Sequence, residues 1–118
     1  MKDPIKSDRV RLGHILDAAR KAVGFVEGRS RRELDTDSML ALALVRLLEV
    51  IGEAARAVSP EFCASHPIVP WKKMCGMRDR LVHGYFDVNL DVVWETVTKD
   101  LPPLIAAVEP IAQQERTG

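Results

Sequence analysis

Hydrophobic residues along this chain recur at helical spacing and nowhere alternate as a strand would. Between Ser7 and Glu27, Leu12, Ile15, Leu16, Ala19, Val23 and Val26 fall on one stripe, which predicts a helix with a single buried face. Asp8 suits the positive start of such a helix and Gly28 its stop. A charged connection follows from Arg29 to Asp37, in which Asp35 or Asp37 can cap a second helix reaching Val58. Met39, Leu40, Leu42, Leu44, Val45, Leu47, Leu48, Val50 and Ile51 occupy most of that helix's circumference. Only a narrow strip of Arg46, Glu49, Glu53 and Arg56 is polar, at the i,i+3 and i,i+4 spacing of mutual contact. A helix apolar on nearly all sides has to be covered on nearly all sides, and in so small a chain this favours a second subunit.

Ser59-Pro60 ends the second helix, and Pro67 and Pro70 mark a loop. Pro70-Trp71 opens a short helix that Gly76 bends or interrupts and Gly84 ends. Asn89 or Asp91 starts the last helix, whose apolar stripe is Val93, Val97, Leu101, Leu104, Val108 and Ile111. Pro102 and Pro103 are expected to kink it, and the polar tail from Gln113 to fray. The fold expected is all-α, a compact bundle of four to five helices in one domain over residues 1–118, assembling as a homodimer.

Charge narrows the function classes. Seventeen Lys and Arg balance seventeen Asp and Glu, whereas a dedicated duplex-DNA binder is normally strongly basic. Any nucleic-acid contact must then be local. Lys72, Lys73, Arg78 and Arg80 form one such cluster, opposed only by Asp79, and with Arg46 they are the candidate RNA-binding residues. Cys63 and Cys75 are not a C-x-x-C pair, and no leader or long apolar run is visible. Both points lead to the expectation of a reducing cytoplasm and no membrane association. His14, His66 and His83 lack metal-ligand spacing, and no glycine-rich phosphate loop is present, so neither a metal nor a cofactor is expected.

The stretch from Arg78 to Tyr85 concentrates the reactive types: an always-cationic group, an imidazole and a phenol within eight residues. Cleaving RNA without a metal requires a base for the 2′-hydroxyl proton, an acid for the leaving oxygen and a cation for charge growing on phosphate. Histidine and arginine supply those types. In a straight helix, however, His83 would lie about 140° around the axis from Arg78, and Tyr85 only about 20° from it. Either the helix ends at Gly84 and turns His83 and Tyr85 inward, or two subunits juxtapose their copies.

Arg78-x-x-x-x-His83-x-Tyr85 resembles the signature of the HEPN superfamily, in particular its HepT-like toxin branch. Ile51-Gly52-Glu53-Ala54-Ala55, Ile68-Val69-Pro70-Trp71, Gly76-Met77-Arg78-Asp79, Leu81-Val82-His83-Gly84-Tyr85 and Val93-Trp94 stand where that family has similar blocks. The resemblance implies an α-helical dimer with a ribonuclease site at the subunit interface. It also implies a small nucleotidyltransferase antitoxin that adds AMP to a tyrosine of the toxin. By position, Arg78 and His83 would be catalytic, Tyr85 the modified residue, and Asp79 a supporting residue where the family often has asparagine. The rival reading is a non-catalytic helical module that binds a nucleotidyltransferase or a nucleotide. In it Arg78 pairs with Asp79, Asp87 or Glu53, His83 caps a helix C-terminus, and Trp71 and Trp94 are core anchors.

Overall fold

The apolar stripes predicted for the first and last helices are turned inward. In the computed structural model, which describes residues 4–81 and 87–117, the helices are α1 (Pro4–Val26), α2 (Glu33–Thr36), α3 (Ser38–Arg56) and α4 (Pro60–Ser65), then α5 (Trp71–Cys75), α6 (Met77–Leu81), α7 (Leu90–Glu95) and α8 (Leu101–Thr117). A π turn at Thr96–Asp100 joins the last two. The fold is all-α. Leu12, Ile15 and Ala19 of α1 share one core with Leu44, Leu48 and Ile51 of α3 and with Leu104 and Val108 of α8. Met74, Met77 and Leu81 bring α5 and α6 onto the same core.

Four expected helical segments become eight helices among the described residues because short helices fill the connections. Asp37, not Asp35, caps α3, accepting from the Leu40 amide, while Glu33–Thr36 winds one extra turn ahead of it. Ser59-Pro60 does end α3, and it also opens α4. The Ser59 hydroxyl accepts from the Phe62 amide, with proline in the first turn, where its missing N–H costs nothing. Sequence periodicity cannot register elements this short, since they span fewer than two turns.

Asp8 plays a different part from the one expected. Because α1 begins at Pro4, Asp8 lies in its second turn and is 3% exposed. Its carboxylate accepts from the Ser59 amide at 2.9 Å and from the Ser59 hydroxyl at 2.7 Å. The cap of α4 is thus itself held by α1, which satisfies a carboxylate that would be costly to bury unpaired.

The kink expected from Pro102 and Pro103 is taken up one turn earlier. Neither proline has an N–H, so the carbonyls of Thr98 and Lys99 lack their α-helical donors. The chain widens instead, and the Leu101 amide bonds to the Thr96 carbonyl five residues back. Both prolines then sit in the first turn of α8, where a missing N–H is tolerated.

Helix α3 is apolar around most of its girth but is not covered all round. Its core face is Leu40, Leu44, Leu48, Ile51 and Ala55. Val45, Leu47 and Val50 pack partly against the core. Met39 and Leu42 stand 81% and 69% exposed. Among the described residues, no helix is long and apolar enough to cross a membrane.

Candidate functional site

The site forms where α6 crosses the charged end of α3. Met77 and Leu81, four residues apart, are buried and fix the inner face of the short helix. Arg78, Asp79 and Arg80 are consequently all exposed. Gly76 separates α5 from α6, as expected. Gly52 of α3 is buried and lets these segments come close. A Cβ there would lie 3.3 Å from the Met74 carbonyl and 3.9 Å from the Arg78 amide, so the glycine is favoured by close approach rather than by a turn.

The cluster read from sequence as one basic patch is split by the helix into two. Arg78 and Arg80 project about 160° apart on α6. Arg78 meets Glu49 of α3, Nε to Oε2, at 3.5 Å. Arg80 turns the other way, to Asp100 on the π turn at 3.6 Å, and Lys73 of α5 reaches the same carboxylate at 3.1 Å. Asp100 is therefore the hub of one side of α6, beside an open groove lined by Ile68, Pro70, Lys73, Lys99 and Leu104. Lys72 is exposed on α5.

Asp79 does not pair with its neighbour Arg78. Its carboxylate meets Arg56 of α3 at 3.1 Å, and the Arg56 Nε donates to the Cys75 carbonyl at 3.0 Å. This arginine therefore ties the end of α3 to both short helices and offsets the negative charge beside Arg78. The α3 strip does not bond along itself at i,i+3 and i,i+4. Arg46 reaches Glu53 two turns on, at 3.5 Å, while Glu49 and Arg56 face α6.

His83 and Tyr85 lie outside the described residues, as do Val82, Gly84 and Phe86. Among the described residues on either side, the Asn89 amide donates to the Leu81 carbonyl at 2.7 Å. Asn89 also caps α7, accepting from the Val92 amide. Among the described residues, no group of three or more His, Cys, Asp and Glu side chains is placed to hold a metal ion.

The remaining candidates have structural positions. Trp71 packs half-buried against the core, with its indole N–H donating to the His66 carbonyl at 2.9 Å and its ring edge-on to Phe62. Trp94 is also half-buried against the core. His14 is exposed, and the ring of His66 lies 4.6 Å from that of Phe62. Burial pushes the Cys63 thiol above its ordinary range, with Cys75 and Asp8 adding smaller effects in the same direction.

Residues 15–111 match the family described as ribonuclease HepT-like. The chain belongs to that family. The match covers α3, α5 and α6, and so the whole Arg78 neighbourhood. A protein of Caldanaerobacter subterraneus subsp. tengcongensis, named as a putative RNase, is 42% identical over 95% of this chain and all of its own length. One from Methanocaldococcus jannaschii, named likewise, is 36% identical over 80% of this chain and 87% of its own. A third, named probable ribonuclease HepT, from Thermococcus cleftensis, is 44% identical over 58% of this chain and 62% of its own. No solved structure matches the chain. The HepT-like resemblance read from the ordered blocks is thereby met, as is the ribonuclease class it implies.

Three features of the candidate site were not read as contacts from the sequence. Glu49 as the partner of Arg78 lies 29 positions away, Asp100 had no role assigned, and Gly52 was only part of a block. Each is a contact between elements remote in the chain, and spacing reports only neighbours on one element.

Proposed function

We propose that this chain is the toxin of a toxin–antitoxin pair, a metal-independent endoribonuclease whose site is completed by a second copy of itself. The observation that carries the reading is the composition of the outer stripe of α3. Met39, Leu42, Arg46, Glu49, Glu53 and Arg56 follow one another at alternating spacings of three and four, the register of a helix-pairing seam. The apolar end of this stripe is exposed, and its charged end meets Arg78 and Asp79. A second copy lying on it would cover the apolar residues and bring two Arg78–Tyr85 segments together.

In such a site the imidazole of one His83 takes the proton of the 2′-hydroxyl, whose oxygen attacks the adjacent phosphorus. The imidazolium of the other His83 returns a proton to the departing 5′-oxygen. Arg78 faces the charge that grows on the non-bridging oxygens. The products are a 2′,3′-cyclic phosphate and a 5′-hydroxyl. Control would come from a minimal nucleotidyltransferase antitoxin that transfers AMP to the Tyr85 hydroxyl. That adds a phosphate competing for Arg78 and a base that obstructs RNA.

The test is cleavage of single-stranded RNA by the purified protein in EDTA, with end-group analysis. The expected result is a cyclic phosphate, no cutting of RNA that is 2′-deoxy at the scissile nucleotide, loss of activity in a folded His83→Ala variant, and a dimer by light scattering at micromolar concentration. A strict Mg²⁺ requirement or an active His83→Ala protein would overturn the mechanism. A monomer would overturn the composite site. AMP retained on a Tyr85→Phe variant co-expressed with the nucleotidyltransferase would overturn the control.

A further inference from the structure

We infer that Glu49 is a positioning residue that aims the Arg78 guanidinium at the scissile phosphate, an inference that rests on the proposed ribonuclease reading. Arg78 stands on a five-residue helix, and its side chain is 54% exposed. Left alone, such a side chain samples many rotamers, and ordering it costs conformational entropy. A cation that stabilises transition-state charge works best when its direction is set before the reaction. Glu49 supplies the direction from a better-anchored element. It lies on the nineteen-residue α3 and is only 26% exposed. Gly52, three residues further along α3, admits the Arg78 backbone. One stretch of α3 therefore receives both the main chain and the side chain of Arg78.

The atom that Glu49 meets decides its role. Its carboxylate approaches Nε, the guanidinium nitrogen nearest the chain. The two terminal nitrogens, the pair best placed to grip two phosphate oxygens, remain outermost. A carboxylate bound at that end would have competed with phosphate directly. Asp79, next to Arg78 in the chain, is held by Arg56 instead. Glu49 does lower the local positive potential, so orientation and charge act in opposite directions. The Nε contact makes orientation the larger effect.

The experiment measures kcat and KM separately for the wild type, Glu49→Gln and Glu49→Ala. Glu49→Ala is expected to lose about tenfold in kcat, with KM unchanged or slightly lower. Glu49→Gln should fall between, because its amide oxygen keeps a partial negative charge facing Nε without the full charge of the carboxylate. In an Arg78→Ala background, Glu49→Ala should have no further effect, since the two residues act as a unit. Undiminished kcat with a lower KM would overturn the inference and make Glu49 a competitor of phosphate. A loss that persists in the Arg78→Ala background would make it merely structural. A second readout does not depend on activity. The Arg78 Nε–H signal in NMR should exchange with water faster in both variants than in the wild type, and unchanged exchange would overturn the inference. If the wild type cuts no RNA at all, the functional reading fails, while the NMR comparison still decides whether Glu49 holds Arg78.

Discussion

Arg78 and Arg80 are two residues apart on one short helix, carry the same charge and are exposed to similar degrees, yet they belong to different parts of the molecule. Arg80 shares Asp100 with Lys73, so that α5 and α6 are both fastened to the π turn. Arg78 faces the charged strip of α3 and meets Glu49 through Nε. One flank of α6 is a structural clasp and the other is the proposed site. The difference arises from helix geometry together with the partner on each side. A carboxylate shared by two cations is spent on cohesion, whereas a carboxylate touching only the inner nitrogen leaves an arginine able to bind something else.

The strongest test of this division compares the two arginines directly. Arg78→Ala should lower kcat/KM for RNA by about 10²- to 10³-fold, the scale of losing one transition-state donor, while Arg80→Ala stays within about threefold. Equal losses would erase the distinction. Arg78→Lys should also be poorly tolerated, because lysine keeps the charge but lacks the planar fork.

A smaller effect is expected at Gly52, where the Arg78 flank depends on backbone approach. Gly52→Val should destabilise the fold by about 1–3 kcal/mol, as overpacking does, since even a first methyl would stand 3.3 Å from the Met74 carbonyl. Thermal melting measures the loss. Gly13→Ala is the control: nothing lies within 4 Å of its position, and helix propensity predicts a gain of up to about 1 kcal/mol. A Gly52→Val protein as stable as the wild type would mean that α5 and α6 do not need that approach.

The smallest effect belongs to the clasp. Asp100→Asn removes the charge that Lys73 and Arg80 share. Both cations are about half exposed, so the cost in stability should not exceed about 1 kcal/mol, diminishing in high salt. RNA cleavage should be unaffected. A large loss of cleavage would bring Lys73 and Arg80 into RNA binding and break the division between the flanks.

Much of this was legible in the sequence, and the parts that were not share a cause. The stripes of α1, α3 and α8 could be read because burial repeats at the helical period, and Asp37 and Asn89, each one of two candidates, because a cap acts within one turn. The interruption at Gly76 was read for the same reason. The ordered blocks around Arg78 carried the family. The apparent unity of the basic cluster was misleading, because closeness in sequence does not reveal that alternate residues on a helix face opposite ways. Asp8 was misread for a related reason, since its partner Ser59 is 51 positions away.

The sequence by itself determined an all-helical chain, the faces its first and last helices bury, and the family whose blocks it carries. These follow from periodicity, capping and residue type, which act over a few residues. Only the tertiary structure decided that Glu49 meets Arg78, that Arg56 takes Asp79, and that Asp100 gathers Lys73 and Arg80. Such pairings depend on which helix surfaces the core brings together, and the core is set by packing across the whole chain rather than by any local signal.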